Sequence, residues 1–312
     1  MSARIVVIGS VNTDLVVRGP CIPSPGETVT GGSYLRAQGG KGANQAVSAA
    51  RAGADVTFIA RVGDDELGHD AIESLRDEGI DVGHVRRDPD QATGVALIMV
   101  DEEGENAISV APGANAHLSA DDVEAARAAI ESADVLVAQL ETPVPAVERA
   151  AAIASAANAT VILNPAPARS LSTSVLGLVD VLTPNQGESA FLTTEVEPRT
   201  AAIRLRGLGV TSVVVTLGPR GALVVTADGE WSVPGFPVSA IDSTAAGDAF
   251  NGFLAVFLAE GLDLCEAVRR ACAAGALATT VAGARPSLPF RGPVDDLADR
   301  SGSGQSRQKP SS

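Results

Sequence analysis

The chain has 312 residues, 45% of them hydrophobic and 20% charged, enough for a single α/β domain with a sizeable core and an appendage. A formal net charge of −15 excludes a sequence-independent nucleic-acid surface and leaves any anionic ligand to be held by local donors. Three scattered cysteines exclude a disulfide framework or a CxxC metal site; with no signal-peptide pattern and no apolar run of about 18 residues, a cytoplasmic protein with no membrane partner is expected.

"RIVVIGSV" opens the chain as a continuous β-branched run, the pattern of a strand covered on both faces. Residues 15–40 are different, with short extended pieces, "LVVRG" and "ETVTGGSYLRA", broken by Pro20, Pro23, Pro25 and a glycine pair. They read as a small antiparallel sheet outside the core. A helix in "ANQAVSAARAG", a strand in "DVTFIARVG" and a helix in "ELGHDAIESLRDEG" follow, the last with Leu67, Ala71, Ile72 and Leu75 on one face. "GVALIMVDEEGENAISVAP" is two strands around a polar turn that join the same small sheet.

From Ser119 the rhythm is regular. A helix opens with a capping-box pattern, Ser119 and Asp122. Strand "DVLVAQLE", helix 144–157, strands "TVILN" and "DVLTPN", a helix near 199–208, strand "SVVVTLG" and the hairpin "GALVVTADGEWSVPGF" come next. Helices at about 246–260 and 263–281 close the fold. Strands alternating with helices specify an α/β fold with a mostly parallel sheet. "SGSGQSRQKPSS", residues 301–312, has no apolar periodicity and reads as a disordered tail.

Open parallel sheets bind ligands at the carboxyl ends of their strands, and Asn12, Asp14, Glu141, Asn164, Asn185, Thr216 with Gly218, and Asp242 all fall there. There is no P-loop and no GxSxG elbow, His69, His84 and His117 are dispersed, and "GGKGANQ" misses a dinucleotide fingerprint at Gln45. What remains is "AQGGKGANQA" and "DSTAAGDAFNG", each leading small residues into a helix N-terminus that favours an anion. In the second, a carboxylate adjoins the anion site, where it repels phosphate unless it takes a proton from an attacking hydroxyl. Asp248 is therefore the candidate general base, and the amides of Ala246, Gly247 and Asp248 the candidate anion hole.

With "GSVNTD", "GGKGANQA", "GDDELG", "APGAN", "LNPAPAR", "TPNQGE", "TLGPRG", "DSTAAGDAFNG" and "GARPSLP" in order, the chain resembles the ribokinase-like (PfkB-type) carbohydrate kinases nearly end to end. The resemblance implies a three-layer fold over residues 1–300, with a β-sheet lid formed by about 15–40 and 92–111. It implies ATP-dependent phosphorylation of D-ribose at the 5-hydroxyl, with another small sugar or a nucleoside as the alternative substrate. A silent sugar-binding regulator would have no need of Asp248 or its turn. Asn12, Asp14, Gly39, Gly40, Lys41, Asn44 and Glu141 would hold the sugar, with Asp248 behind the Ala245-Ala246-Gly247 turn as base. Asn185, Glu188, Thr216, Gly218, Gly221 and Gly247 would line the nucleotide side, with Glu188 near Mg2+ through water and Cys272 beside the adenine. A potassium site is implied at Asp242, Thr244, Ala278, Val281, Gly283 and Ser287. The alternative for Asp242 is a turn cap on the N–H groups of Thr244 or Ala245. Paired lids imply a homodimer.

Overall fold

The computed structural model describes residues 2–302. Its strands are β1 (Arg4–Ile8), β2 (Asn12–Arg18), β3 (Ser33–Gly39), β4 (Asp55–Gly63), β5 (Asp81–Asp88), β6 (Gly94–Val100), β7 (Asn106–Ala111), β8 (Val135–Ala138), β9 (Thr160–Leu163), β10 (Val181–Leu182), β11 (Ser212–Thr216), β12 (Ala222–Val225) and β13 (Glu230–Val233). One sheet has the order β13-β12-β11-β10-β9-β8-β1-β4-β5, and a second has β3-β2-β6-β7. From β11 to β5 each neighbouring pair is parallel, and the β12–β13 hairpin runs antiparallel at one edge.

Alternation along the strands sets the layers. Ile5 and Val7 of β1 join one buried cluster with Val47, Phe253, Phe257 and Val268, from the helices Lys41–Arg51, Ala246–Ala259 and Leu264–Ala278. Val6 and Ile8 join the other cluster, with Ile130, Val147, Ile153 and Leu205 from helices on the opposite face. Burying each such side chain contributes about 1.5–3 kcal/mol. Helices on both faces of a mostly parallel sheet give the expected three-layer α/β fold.

The small sheet differs from the antiparallel one expected. β2 pairs β3 antiparallel and β6 pairs β7 antiparallel, but β2 and β6 run parallel in register Asn12↔Gly94 to Arg18↔Val100. The cause is topological: both strands leave the body of the molecule at the same place and head outward together. Two further elements carry no clear signal in the sequence, the edge strand β5 and the helix Gln186–Thr193. The helix expected from Ser119 does start with its capping box, but it breaks at Ala126 into Ala120–Ala125 and Arg127–Ser132. The last helix, Arg291–Gly302, includes the first two residues of the expected tail, and residues 303–312 lie outside the described ones.

Candidate active site

Three residues, Gly9 to Val11, connect β1 to β2, so Asn12 and Asp14 stand where the core sheet gives way to the small one. β3 returns antiparallel, placing Ala37 opposite Asp14 and Gly39 opposite Asn12. A Cβ on Gly39 would lie 2.4 Å from an Asp14 carboxylate oxygen, so only glycine leaves room for that carboxyl group. The next residue, Gly40, has φ 92° and turns the chain into the Lys41–Arg51 helix.

That helix start was expected to offer free amides to an anion. The structure gives them partners from within the chain instead. Glu141, just past β8, accepts from the Lys41 amide at 3.0 Å and from Ser10 Oγ at 2.5 Å, while the Ala43 amide donates to the Ser10 carbonyl at 2.9 Å. The anion at this terminus is thus the carboxylate of Glu141, held ready beside Lys41.

The second helix start is different. The helix Ala246–Ala259 is preceded by Ala245 at φ 60°, a left-handed conformation costly for a residue with a Cβ. Of the three amides expected to form the anion hole, that of Ala246 instead donates to the Ser243 carbonyl at 3.3 Å, while among the described residues those of Gly247 and Asp248 make no hydrogen bond. They open on a cleft of about 710 Å³ lined also by Lys41, Asn185, Glu188, Thr216 and Thr244. A Cβ on Gly247 would meet nothing within 4 Å, so packing inside the chain gives no reason for glycine there.

Asp248 itself is buried at the floor of this cleft. Its two carboxylate oxygens accept from Asn44 Nδ2 at 3.0 Å and Gln45 Nε2 at 2.9 Å. Behind them runs a buried chain of amides and a hydroxyl. Gln139 Nε2 donates to Gln45 Oε1 at 2.7 Å, and Gln45 also donates to Asn164 Oδ1 at 3.1 Å. Thr183 Oγ1 donates to Asn251 Oδ1 at 2.6 Å, and Asn251 Nδ2 returns to the Gly247 carbonyl at 2.8 Å. These contacts fix the orientation of Asp248 with dipoles and add no second charge.

Three carboxylates, Asp248, Glu141 and Glu188, act on the Lys41 ammonium, and Asp14 stands near two of them. Burial raises the pKa of Asp248 above the usual carboxylate range, against the pull of Lys41 and the Gln45 and Asn44 hydrogen bonds. Burial also raises Asp14 to about 6, helped by Glu141 and Asp248 and opposed by Arg285. Glu188 is raised by burial as well. Burial works against the Lys41 ammonium, but Asp248, Glu141 and Glu188 together hold its pKa above normal. Asp248, Asp14 and Glu188 are thus more basic than ordinary carboxylates, and the lysine is firmly charged.

On the other side of the cleft, Asn185 and Glu188 form a capping box, each side chain accepting from the other's amide at 2.8 Å. One Glu188 oxygen is left to face the cleft. No cluster of three metal-ligating side chains occurs among the described residues. A lone carboxylate suits Mg2+ carried in on phosphate oxygens and water. A second cavity of about 530 Å³ adjoins the first through Thr216, Gly218, Ser243 and Gly247, and both Gly221 and Cys272 line it.

Asp242 makes the cap contact foreseen as its alternative role. Its Oδ1 accepts from the Thr244 amide at 2.9 Å and from Thr244 Oγ1 at 2.6 Å. Oδ2 accepts from the Gly283 amide at 2.8 Å, which ties together the two loops expected to hold a cation. Among the described residues Asp242 forms no ion pair, and its pKa is lowered: these three hydrogen bonds outweigh its burial, with Arg18 adding a weaker pull. Ser287 Oγ, by contrast, is engaged by the Ala284 carbonyl at 2.7 Å, and Ala278 is wholly buried in the core.

Residues 2–291 match the model of the pfkB family carbohydrate kinases. The chain belongs to that family. A ribokinase of Haemophilus influenzae is 43% identical over 296 residues, 93% of this chain and 97% of that protein. A deoxyribokinase of Salmonella typhi is 36% identical over 291 residues, 91% and 95% of the two chains. The structure of an Arabidopsis thaliana ribokinase complexed with ribose and ATP has a TM-score of 0.89 at 32% identity, covering 96% of this chain and 99% of that one.

Sequence reading of this carbohydrate kinase missed Gln45, Gln139, Asn251, Ser10 and Asn115. Asn115 Nδ2 donates to Asn12 Oδ1 at 2.8 Å and braces the start of β2. The one available signal was a polar residue inside an apolar helical run, as with Asn251 in "AFNGFL"; Gln45 in "ANQAVSAA" follows the polar Asn44 and shows it less clearly.

Proposed function

We propose that this kinase transfers the γ-phosphoryl group of MgATP to the 5-hydroxyl of D-ribose, giving D-ribose 5-phosphate and ADP. The observation that carries this reading is the buried, amide-clamped Asp248 carboxylate beside two unpartnered helix N-terminal amides. Asp248 takes the hydroxyl proton as the sugar oxygen bonds to phosphorus and the bond from phosphorus to the β,γ-bridging oxygen breaks. The Gly247 and Asp248 amides donate to the oxygens of the transferring group. Glu188 would hold Mg2+ through water, and the ion would neutralise charge on the phosphates.

Asn12, Asp14, Lys41, Asn44 and Glu141 are the proposed sugar ligands. Five converging polar groups, Asn12 and Asn44 buried and Asp14, Lys41 and Glu141 half-buried, suit a fully hydroxylated pentose, because a missing hydroxyl leaves one of them unpaired. That favours ribose over the deoxyribose named for the Salmonella relative. The test is ADP release, with identification of the phosphorylated position, over a panel of pentoses, 2-deoxyribose, hexoses and nucleosides. D-ribose should give the highest kcat/KM, and a higher value for a nucleoside or hexose would refute the assignment.

If the Gly247 amide faces phosphate, the absent side chain at Gly247 matters for ligand and not for fold. Gly247→Ala should leave Tm unchanged or slightly raised, since alanine is the better helix former by up to about 1 kcal/mol. Its kcat should fall at least about tenfold as the methyl group crowds the transferring oxygens. A variant with unaltered kcat would remove Gly247 from the anion hole.

The potassium ion belongs to this proposal, held by Asp242 and Thr244 and by the loop containing Ala278, Val281, Gly283 and Ser287. An ion there would stiffen the turn before Ala246 without touching substrate, so K+ should raise kcat over Na+ at equal ionic strength. Asp242→Asn should abolish the difference. Equal rates in potassium-free buffer and in about 100 mM KCl, where screening alone is matched by Na+, would exclude the site.

The β3-β2-β6-β7 sheet is the proposed lid. Tyr34 and Leu35 on β3, Leu97 on β6, and Ile108 and Val110 on β7 are all more than half exposed. Adjacent residues of a strand point to opposite faces, so each face of this sheet exposes apolar side chains. Sugar would cover one and a second copy's lid the other, in a two-fold homodimer. Sedimentation at micromolar concentration should give a dimer, and a fully active monomer would contradict it.

A further inference from the structure

On the kinase reading above, Asp248 takes the proton of the sugar hydroxyl, and its carboxylate has two oxygens with which to do so. The groups around it make the two unequal. The asymmetry starts at a backbone carbonyl: Thr183 C=O accepts from Asn164 Nδ2 at 3.1 Å, which leaves Asn164 Oδ1 facing Gln45. Gln139 Nε2 donates to Gln45 Oε1 at 2.7 Å. The Gln45 NH2 group therefore points at two acceptors, Asn164 Oδ1 at 3.1 Å and Asp248 Oδ1 at 2.9 Å. Turned over, it would set oxygen against both acceptors and NH2 against the NH2 of Gln139. Gln45 and Gln139 are wholly buried, so bulk water cannot repair such a mismatch. The other oxygen has a freer partner. Asn44 Nδ2 donates to Asp248 Oδ2 at 3.0 Å, but among the described residues Asn44 Oδ1 is buried without a partner. No hydrogen bond to that oxygen fixes which end of the Asn44 amide faces Asp248.

We propose that Gln45 is a positioning residue for the transfer: it holds Asp248 Oδ1 as a permanent acceptor, so the sugar proton goes to Oδ2, where the Asn44 amide turns over to receive the new O–H. As the sugar oxygen bonds to phosphorus, its O–H bond breaks and the proton joins Oδ2. The result is a neutral carboxyl group whose Oδ1 still accepts from Gln45. Protonation of Oδ1 would instead set two donors face to face, and Gln45 has no way to turn. Oδ2 returns the proton to solvent as the products leave, and Asn44 turns back. Burial raises the pKa of Asp248, Lys41 and the Gln45 and Asn44 hydrogen bonds draw it down, and Glu141 adds to the effect of burial. Asp14 and Glu188 are the other charged groups near it. Removing the Gln45 donor should therefore make Asp248 harder to ionise.

The first measurement is the pH profile of kcat, from sugar phosphate formed with D-ribose and MgATP, for the wild type, Gln45→Glu and Gln45→Met. Gln45→Glu keeps the side-chain length and an acceptor for Gln139, but sets a carboxyl group against Asp248 Oδ1, so that one proton must be shared. Gln45→Met is close in volume and donates nothing. Both should move the acid limb of kcat up by about one pH unit or more and lower kcat at neutral pH at least about tenfold. KM for ribose and for ATP should stay within about threefold of the wild type, since Gln45 touches neither substrate. A residue that only packs the core would change the melting temperature and leave the pH profile in place. The second measurement needs no variant. A neutron structure of the wild type crystallised below its acid limb should show the deuteron on Asp248 Oδ2, with the Asn44 oxygen turned toward it. A deuteron on Oδ1, or an unmoved acid limb in a folded Gln45 variant, would overturn the proposal and leave the kinase assignment standing. A wild type that forms no sugar phosphate would instead remove the kinase assignment on which it rests.

Discussion

Asp248→Asn should lower kcat by about 10²–10⁴-fold or more, the contribution of a positioned general base. The substitution is nearly isosteric, and the site can accommodate it. Asn44 and Gln45 both donate to the present carboxylate, while Asn44 Oδ1 is buried without a partner. Turning the Asn44 amide over would present that oxygen to the new NH2 group and satisfy both. Folding should therefore survive, with a melting temperature close to the wild type and sugar affinity changed far less than turnover. Near-normal turnover in a well-folded Asp248→Asn protein would show that another group takes the proton. The raised pKa adds a pH signature. Asp248 must be ionised to act, so rate should fall as pH drops through a value above the ordinary carboxylate range.

The second large effect is at Asp14. Asp14→Ala leaves sugar hydroxyls and neighbouring buried groups unpaired, at a cost of about 1–3 kcal/mol, which is roughly a 5- to 150-fold rise in KM for ribose. The KM for ATP should stay nearly constant, and equal weakening of both substrates would place Asp14 elsewhere than the sugar pocket. In the free enzyme its pKa of about 6 means that the carboxylate is ionised above that pH and protonated below it. kcat/KM for ribose should accordingly fall on acidification through about pH 6, and that inflection should vanish in Asp14→Asn. The stability effect has the opposite sign. A carboxyl raised from 3.8 to about 6 is harder to ionise folded than unfolded, so above pH 6 it destabilises the fold by up to about 3 kcal/mol. Asp14→Asn should therefore melt higher than the wild type at pH 7.5 while binding sugar worse, the usual trade between stability and a working site.

Much of the layout was legible because its signals are local. The covered strands β1 and β11 carry unbroken β-branched runs, β4 is mostly apolar, and the Glu66–Asp77 helix carries its stripe and its glycine stop. What escaped depends on partners distant in sequence. β5, "DVGHVRRD", is half polar because it is an edge strand with Arg86 and Arg87 exposed, and only its parallel pairing with β4 makes it a strand. The parallel β2–β6 pairing joins segments separated by five further elements, three strands and two helices, which no periodicity records. The free amides at Lys41 were read correctly as a helix start, but the Glu141 carboxylate that meets one of them lies 100 residues away. Gln45 entered the reading only as the residue that spoils a glycine motif. Its role holding Asp248 links positions 203 apart.

Asn12 and Asp14 open β2, a strand of the small sheet, whereas Asp248 and the unpartnered amides belong to a helix packed into the body of the molecule. On the proposed reading, the grip on the acceptor and the machinery for transfer are thus mounted on different parts. Any outward swing of the small sheet carries Asp14 off with it and leaves the base in place. Water is the competing acceptor for every nucleotide-using phosphotransferase, and it has no carbon skeleton with which to draw Asp14 back over the cleft. A bound nucleotide without sugar then meets a base but no nucleophile held in line. On that reading, mounting Asp14 on the small sheet and Asp248 on a body helix would guard against idle hydrolysis, an arrangement set by where β1 ends and β2 begins.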